Sequence, residues 1–167
     1  KIDLFWPREK NFDLKNKLGL NAKSFKLIHF GSLGIANGAS NIVESAKHLK
    51  NNDDFEFIFV GGGSTENELK DLCKLFNLEN VHFLGEFPLD KTSEIVNFCD
   101  VSIISFLDLP ILATNSPNKL FDSLSAAKPI IVNSSGWTKD LVEKHSCGFY
   151  VNPNDPYELV HRLKEFK

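Results

Sequence analysis

Short apolar runs alternate with longer amphipathic stretches along almost the whole 167-residue chain, and this alternation restricts the fold more than any single motif does. Phe25 to Phe30 (Phe-Lys-Leu-Ile-His-Phe) reads as a buried strand. It is followed by the turn Gly31-Ser32-Leu33-Gly34 and a helix with Ile42, Val43, Ala46 and Leu49 on one face. Phe55 to Val60 is a second strand ending in Gly61-Gly62-Gly63, after which Thr65-x-x-Glu68 predicts a capping box ahead of the Leu69, Leu72, Cys73, Phe76 stripe. Val81 to Leu84 is a third strand leading into Gly85-Glu86-Phe87-Pro88, and Asp90 is expected to cap a helix carrying Ile95, Val96 and Cys99. Val101 to Ser105, Pro129 to Val132 and Gly148 to Val151 complete the strands, with helices expected at 136–144 and from Asn154 or Asp155 onward. Apolar strands alternating with amphipathic helices imply an α/β, Rossmann-like doubly wound parallel sheet of about six strands with right-handed crossovers. Residues 1–24 are mixed and polar, with a short helix from Asp13 to Leu18 closed by Gly19, and are read as a lead-in to a domain at 25–167.

In such sheets ligands bind beyond the carboxyl ends of the strands, which selects the loops at 31–37, 61–64, 85–88 and 105–118. The last of these, a long loop from Phe106 to Asn115, runs into a predicted helix at Asn-Ser-Pro-Asn-Lys-Leu-Phe-Asp-Ser-Leu, residues 115–124. Ser116 is the expected N-cap and Pro117 the first helical residue. At 100° per residue Leu120, Phe121, Leu124 and Ala127 share a packing face, while Asn118, Lys119 and Asp122 share the open one. The N-terminus of a helix attracts anions through its free N–H groups and dipole. Lys119 in that same turn opposes the dipole, a conflict that a phosphate between the two would resolve.

Several functions are excluded or disfavoured. A net charge of −3 without any Lys/Arg run leaves no nucleic-acid footprint. Apolar runs such as Ile130-Ile131-Val132 are too short to cross a bilayer and the N-terminus has no signal-peptide pattern, so the chain is expected to be cytoplasmic. Cys73, Cys99 and Cys147 are widely spaced and read as reduced core residues. The five histidines never occur at metal spacing, so no metal site is expected; His29 and His82 lie in strands and read as satisfied core or near-core residues. Gly-x-Gly-x-x-Gly fails at Gly61-Gly62-Gly63 because position 66 is Glu, and no acidic residue ends the second strand to hold a ribose, which disfavours a dinucleotide oxidoreductase. Glu86, Asp108 and Asp122 border the expected cleft, but each alone reads as a solvated carboxylate. The absence of methionine, and a closing helix with no terminating Gly or Pro, lead us to expect a fragment of a longer protein.

The ordered landmarks resemble the C-terminal, nucleotide-sugar-binding domain of GT-B glycosyltransferases of the group 1 type, the large family 4 of retaining enzymes. Phe59-Val60-Gly61-Gly62-Gly63 resembles the family's Val-Gly-x-Gly turn, and Val81-His82-Phe83-Leu84-Gly85 and Asp100-Val101-Ser102-Ile103-Ile104-Ser105 resemble its next two strands. Leu120-Phe121-Asp122-Ser123-Leu124-Ser125-Ala126-Ala127-Lys128-Pro129-Ile130-Ile131 is similar to its helix-to-strand block. Ser135-Gly136 and Cys147-Gly148-Phe149-Tyr150-Val151 match later landmarks, and Ile2-Asp3-Leu4-Phe5-Trp6-Pro7 is similar to the linker that leaves the N-terminal domain.

The resemblance implies transfer of a sugar from a nucleotide diphosphate, with retention and without metal or other cofactor. It implies donor contacts at Gly31, Ser32, Gly34, Gly62, Gly63, Glu86, Phe87, Ser116, Asn118, Lys119 and Asp122. Asp122 matches the second Glu of the family's Glu-x7-Glu pair, which holds the ribose, whereas the first Glu falls at Thr114 and is absent. The family's basic pair after the first strand matches Ser32 and Asn37 and is absent too. Pro117-Asn118-Lys119 looks like the Pro-Ser-Lys variant found in surface-polysaccharide enzymes, so Lys119 is expected to stabilise the leaving diphosphate, with the base near Gly85-Glu86-Phe87. The implied partners are a UDP-sugar and a glycan or polyprenyl-linked acceptor in capsule or lipopolysaccharide assembly. The acceptor would be bound by an N-terminal domain, without which the fragment would be inactive, and the full protein would be cytoplasmic or peripheral on the inner face of the cell membrane. A GT-B UDP-sugar epimerase domain and a Rossmann-like oxidoreductase module are the alternatives.

Overall fold

The computed structural model describes residues 3–167, and Ile2 of the linker-like run lies outside the described residues. Six strands, β1 Phe25–Phe30, β2 Phe55–Val60, β3 Val81–Phe83, β4 Val101–Ile104, β5 Ile130–Val132 and β6 Gly148–Tyr150, form one sheet in the order β3-β2-β1-β4-β5-β6. Every pairing is parallel. The chain steps outward from β1 to β3 and then returns to lay β4 on the other side of β1. The expected doubly wound class is therefore the observed one, with its switch point between β1 and β4.

Alternation along the strands divides the core in two. Leu27, Phe57 and Phe59 face one way and pack with α2 Ser40–Lys47, α3 Glu66–Phe76 and α7 Pro156–Phe166 through Ile42, Leu69 and Leu159. Ile28, Ile58 and Val60 face the other way and meet Ile95, Val96 and Phe98 of α4 Leu89–Phe98. On that side, beyond β4, Ile130 and Val132 pack with Leu120 of α5 Asn118–Ser125 and Val142 of α6 Trp137–Lys144. Among the described residues no helix is long and apolar enough to cross a membrane. Cys73 and Cys99 are buried free thiols and Cys147 is half-buried; burial pushes the Cys73 thiol to about 11 and the Cys99 thiol to about 12.

The lead-in is built into the sheet. α1 Phe12–Leu18 ends at Gly19, φ 69°, as expected, and Phe5 is fully buried with its ring stacked on Phe30 at 5.9 Å. The Arg8 guanidinium donates to Ser93 Oγ and the Leu4 carbonyl, and Asn97 donates to the Trp6 carbonyl. At the opposite end of the strands from the cleft, Lys26 and Glu56 are register partners and both buried, with Lys26 Nζ 3.4 Å from Glu56 Oε2. Ser24 Oγ and the Asn21 amide donate to Glu56, and His82 Nε2 lies 3.0 Å from its Oε1. His82 is thus near the core, as expected, and faces a carboxylate.

Three helix starts differ from the sequence reading. Thr65 does precede α3, but its backbone is already helical and its hydroxyl donates to the Leu33 carbonyl at 2.6 Å, so the capping box does not form. Asp90 lies inside α4, whose cap is Pro88. Ser116 is exposed and Pro117, not Ser116, occupies the cap position of α5. The faces of α5 are also redistributed: Phe121 is exposed and stacks on Trp137 at 6.2 Å, Asp122 is buried, and Ala127 lies past the helix end at φ 53°. The loop after β4 contains one 3-10 turn, Pro110–Thr114.

Candidate functional site

Beyond the carboxyl ends of β1, β2 and β4 lies a cleft of about 670 Å³, and all four loops selected from the sequence contribute to it. Its first wall is made of glycine turns that nearly touch. Gly31, at φ 101°, donates its N–H to the Val60 carbonyl at 2.8 Å, and the Leu33 N–H reaches the Gly62 carbonyl at 2.9 Å. Gly61 sits at φ 123° where a Cβ would come within 2.1 Å of the Gly31 carbonyl oxygen, so no larger residue fits that crossing. The Gly61 N–H continues the ladder to the Gly85 carbonyl at 2.8 Å.

The second wall is the start of α5. Lys119 reaches from its first turn to the floor of the cleft, with Nζ 3.1 Å from His29 Nε2 and 3.5 Å from Asn37 Oδ1. Its stem passes beside Gly31, where a Cβ would stand in ordinary contact, 3.7 Å from Lys119 Cε. Burial lowers the Lys119 pKa to about 8, so the ammonium is charged at neutral pH but only by a modest margin. His29 is completely buried, and burial followed by the Lys119 charge holds its pKa well below the ordinary value, leaving it neutral. Asn37 is fixed in turn by its Nδ2 donating to the Ser32 carbonyl at 2.9 Å. Asp122, one turn along α5, lines the cleft while only 6% exposed, and Glu86 and Phe87 form the far side.

Helical geometry provides no acceptor for the amides of Asn118 and Lys119, which precede the first helical bond from Leu120 to the Pro117 carbonyl. A cation, a positive helix end and a glycine turn thus converge at the switch point of the sheet, an arrangement that fits a phosphate group. Among the described residues no three His, Cys, Asp or Glu side chains are grouped as a metal site needs. Residues 10–167 match the family model described as glycosyl transferases group 1. The chain belongs to that family.

Its relatives within and around the group 1 family are distant in sequence and near in fold. An uncharacterized glycosyltransferase of Methanocaldococcus jannaschii is 22% identical over 162 residues, covering 95% of this chain and 39% of that protein. The Anabaena protein HepE in complex with UDP superposes with a TM-score of 0.81 at 21% identity, over 99% of this chain and 45% of that one. The C-terminal domain of the group 1 family protein LpcC from Francisella tularensis gives 0.78 at 15% identity, over 99% of this chain and 86% of that domain. The chain therefore spans about two fifths of the length of the Methanocaldococcus relative.

Of the site residues expected for a group 1 domain, Gly31, Ser32, Gly62, Glu86, Phe87, Asn118, Lys119 and Asp122 line the cleft. Gly34 borders a separate shallow depression beside Thr65 instead. Gly63 is packed against Leu33, whose backbone would lie 2.6 Å from an added Cβ, and Ser116 is exposed outside the cleft lining. Asp108, also weighed from the sequence, accepts from Asn154 outside the cleft. Two residues that touch Lys119 fall outside the expected site. Asn37 enters the sequence reading only as a missing basic residue, and His29 as a satisfied core histidine, whereas its Nδ1 is buried without a partner. A polar residue two positions before a glycine turn was the available signal for His29.

Proposed function

We propose that this domain, taken as residues 25–167 with 1–24 as its lead-in, binds the nucleotide diphosphate of a sugar donor as half of a retaining glycosyltransferase. The observation that carries this reading is the convergence of Lys119, the first turn of α5 and the Gly31 turn on one point of the cleft floor. When the bond between the anomeric carbon and the diphosphate oxygen breaks, negative charge grows on the departing phosphate. Lys119 and the α5 dipole stand where that charge appears, and a preorganised cation there lowers the barrier without a metal ion. Asp122 offers two acceptor oxygens to the ribose hydroxyls, and the base lies toward Glu86 and Phe87.

UDP is the favoured nucleotide because HepE, of the same fold, is solved with UDP and with UDP-glucose. WaaG, involved in lipopolysaccharide biosynthesis, also shares the fold with a TM-score of 0.76, which supports a place in surface-polysaccharide assembly; the protein would act in the cytoplasm or peripherally on the inner face of the cell membrane. The acceptor, a glycan or polyprenyl-linked saccharide, would enter from the opposite side of the cleft, held by a further domain. Without that domain no transfer is expected from residues 1–167.

Calorimetric titration with UDP, UDP-N-acetylglucosamine, GDP and NAD tests the reading. Selective binding of UDP and its sugar, weakened in both Lys119→Ala and Asp122→Ala, is expected. Binding of NAD with no response to UDP would overturn it in favour of an oxidoreductase module.

A further inference from the structure

We propose that His29 is a positioning residue: its neutral imidazole accepts a hydrogen bond from Lys119 through Nε2 and holds the ammonium, charge intact, on the cleft floor for the phosphate of the ligand. This inference rests on the donor-site reading for the identity of the ligand, but not for the pairing itself.

The geometry decides which way the bond runs. An ammonium has only donors, so at 3.1 Å the His29 Nε2 must present its lone pair. The ring hydrogen is then on Nδ1, which is buried with no partner in the structure. A strand histidine with an orphaned Nδ1 is a poor choice for stability, and a leucine at this fully buried position would remove that cost. What a leucine cannot do is accept from Lys119.

A neutral acceptor is also the right kind of partner. A carboxylate under Lys119 would cancel the charge before any ligand arrived, whereas imidazole satisfies one N–H and leaves the charge whole. Asn37 Oδ1, at 3.5 Å, lies near a second hydrogen, and the third is left for the cleft. The remaining ionisable groups of the cleft are Asp122, one turn along α5, and Glu86, on the opposite wall; Gly31 and Ser32 after β1, and Asn37, add no charge. Burial is what draws the lysine down, and removing the one strong acceptor should draw it further.

Nitrogen NMR of the His29 ring in the unmodified chain needs no variant, and the expected result is a bare Nε2 and a protonated Nδ1, neutral throughout the range where free histidine titrates. Carbon NMR of Lys119 should then show a midpoint near pH 8 that falls by about one unit in His29→Leu and is restored in His29→Gln, whose amide oxygen accepts. At pH 7.5, UDP affinity should drop about threefold in His29→Leu, the loss in charged Lys119 that a one-unit shift gives there, and the same substitution should have no effect in a Lys119→Ala background. A hydrogen on Nε2, or an unmoved Lys119 midpoint in a folded His29→Leu, overturns the proposal. If the NMR results hold while Lys119→Ala leaves UDP affinity unchanged, the donor reading falls and the His29–Lys119 pairing stands.

Discussion

A lysine in the first turn of a helix opposes the helix dipole, and Lys119 is in addition half-buried beside a neutral imidazole. Its charge therefore gains most when an anion arrives. Replacing it with alanine is expected to cost about 1.5–3 kcal/mol of UDP binding, the worth of a charged hydrogen bond. Because burial places its pKa at about 8, UDP affinity should weaken as pH rises from about 8 to 10 and the ammonium loses its proton. Calorimetry across pH 6–10 checks both, and affinity that strengthens above pH 8 would contradict the role of Lys119. Gly61 and Gly62 offer a sharper contrast. Gly61→Ala forces a methyl onto the Gly31 carbonyl at a left-handed φ and should cost several kcal/mol in urea unfolding. Gly62→Ala meets only the ends of flexible side chains, Glu86 at 3.0 Å and Glu66 at 3.4 Å, and should cost less than 1 kcal/mol, so equal losses would mean the crossing is looser than its geometry.

At the level of elements, strands are readable and several helix starts are not, although Asp155 caps α7 where the sequence places its start. The buried strands announce themselves by continuous apolar runs between turns, as Phe55–Val60 does, because burial on both faces leaves few alternatives. Caps depend on where the chain arrives from. Thr65 has the chemistry of an N-cap, yet the Leu33 carbonyl, thirty-two positions earlier, claims its hydroxyl. Phe121 fits the packing face by angle but is exposed, because Leu120 and Leu124 of α5 together with Val142 of α6 already cover β5, while Trp137 supplies Phe121 with a surface partner. His29 was illegible for the same reason: its partner lies ninety residues away, and nothing local marks it. The lead-in reads as peripheral because it is polar, but Phe5 is fully buried and packs on β1. Phe5→Ala should cost about 3–5 kcal/mol, measured by chemical denaturation, and a loss below 1 kcal/mol would return residues 3–20 to the status of a loose tether.

Over the whole molecule, the acid response is set far from the cleft. Burial alone would raise the Glu56 pKa; hydrogen bonds from His82, Ser24 and the Asn21 amide outweigh it and bring the group from 4.5 to about 2. A carboxylate with a depressed folded pKa contributes stability that is complete above its unfolded value and disappears as pH falls from 4.5 toward 2. The contribution is on the order of 3 kcal/mol. Glu56→Gln should flatten stability between pH 5 and 3, and it should also weaken the protein at pH 7 by about 3 kcal/mol because Lys26 is left buried without its counter-charge. Urea midpoints at several pH values distinguish this from an acid response spread over surface carboxylates, which would leave the slope of the variant unchanged.

The ladder that joins Gly31 to Val60, Leu33 to Gly62 and Gly61 to Gly85 makes three consecutive loops one stiff ribbon. Across the cleft, the amides of Leu109, Leu112 and Asn115 donate only to carbonyls of their own loop, and Leu109 and Ile111 stand in solvent. One side is therefore an anvil, whereas the tip of the other is held by little besides itself. A chain of this design can keep the phosphate seat fixed while the exposed tip at residues 109–111 varies in sequence, because a change there disturbs no neighbouring strand.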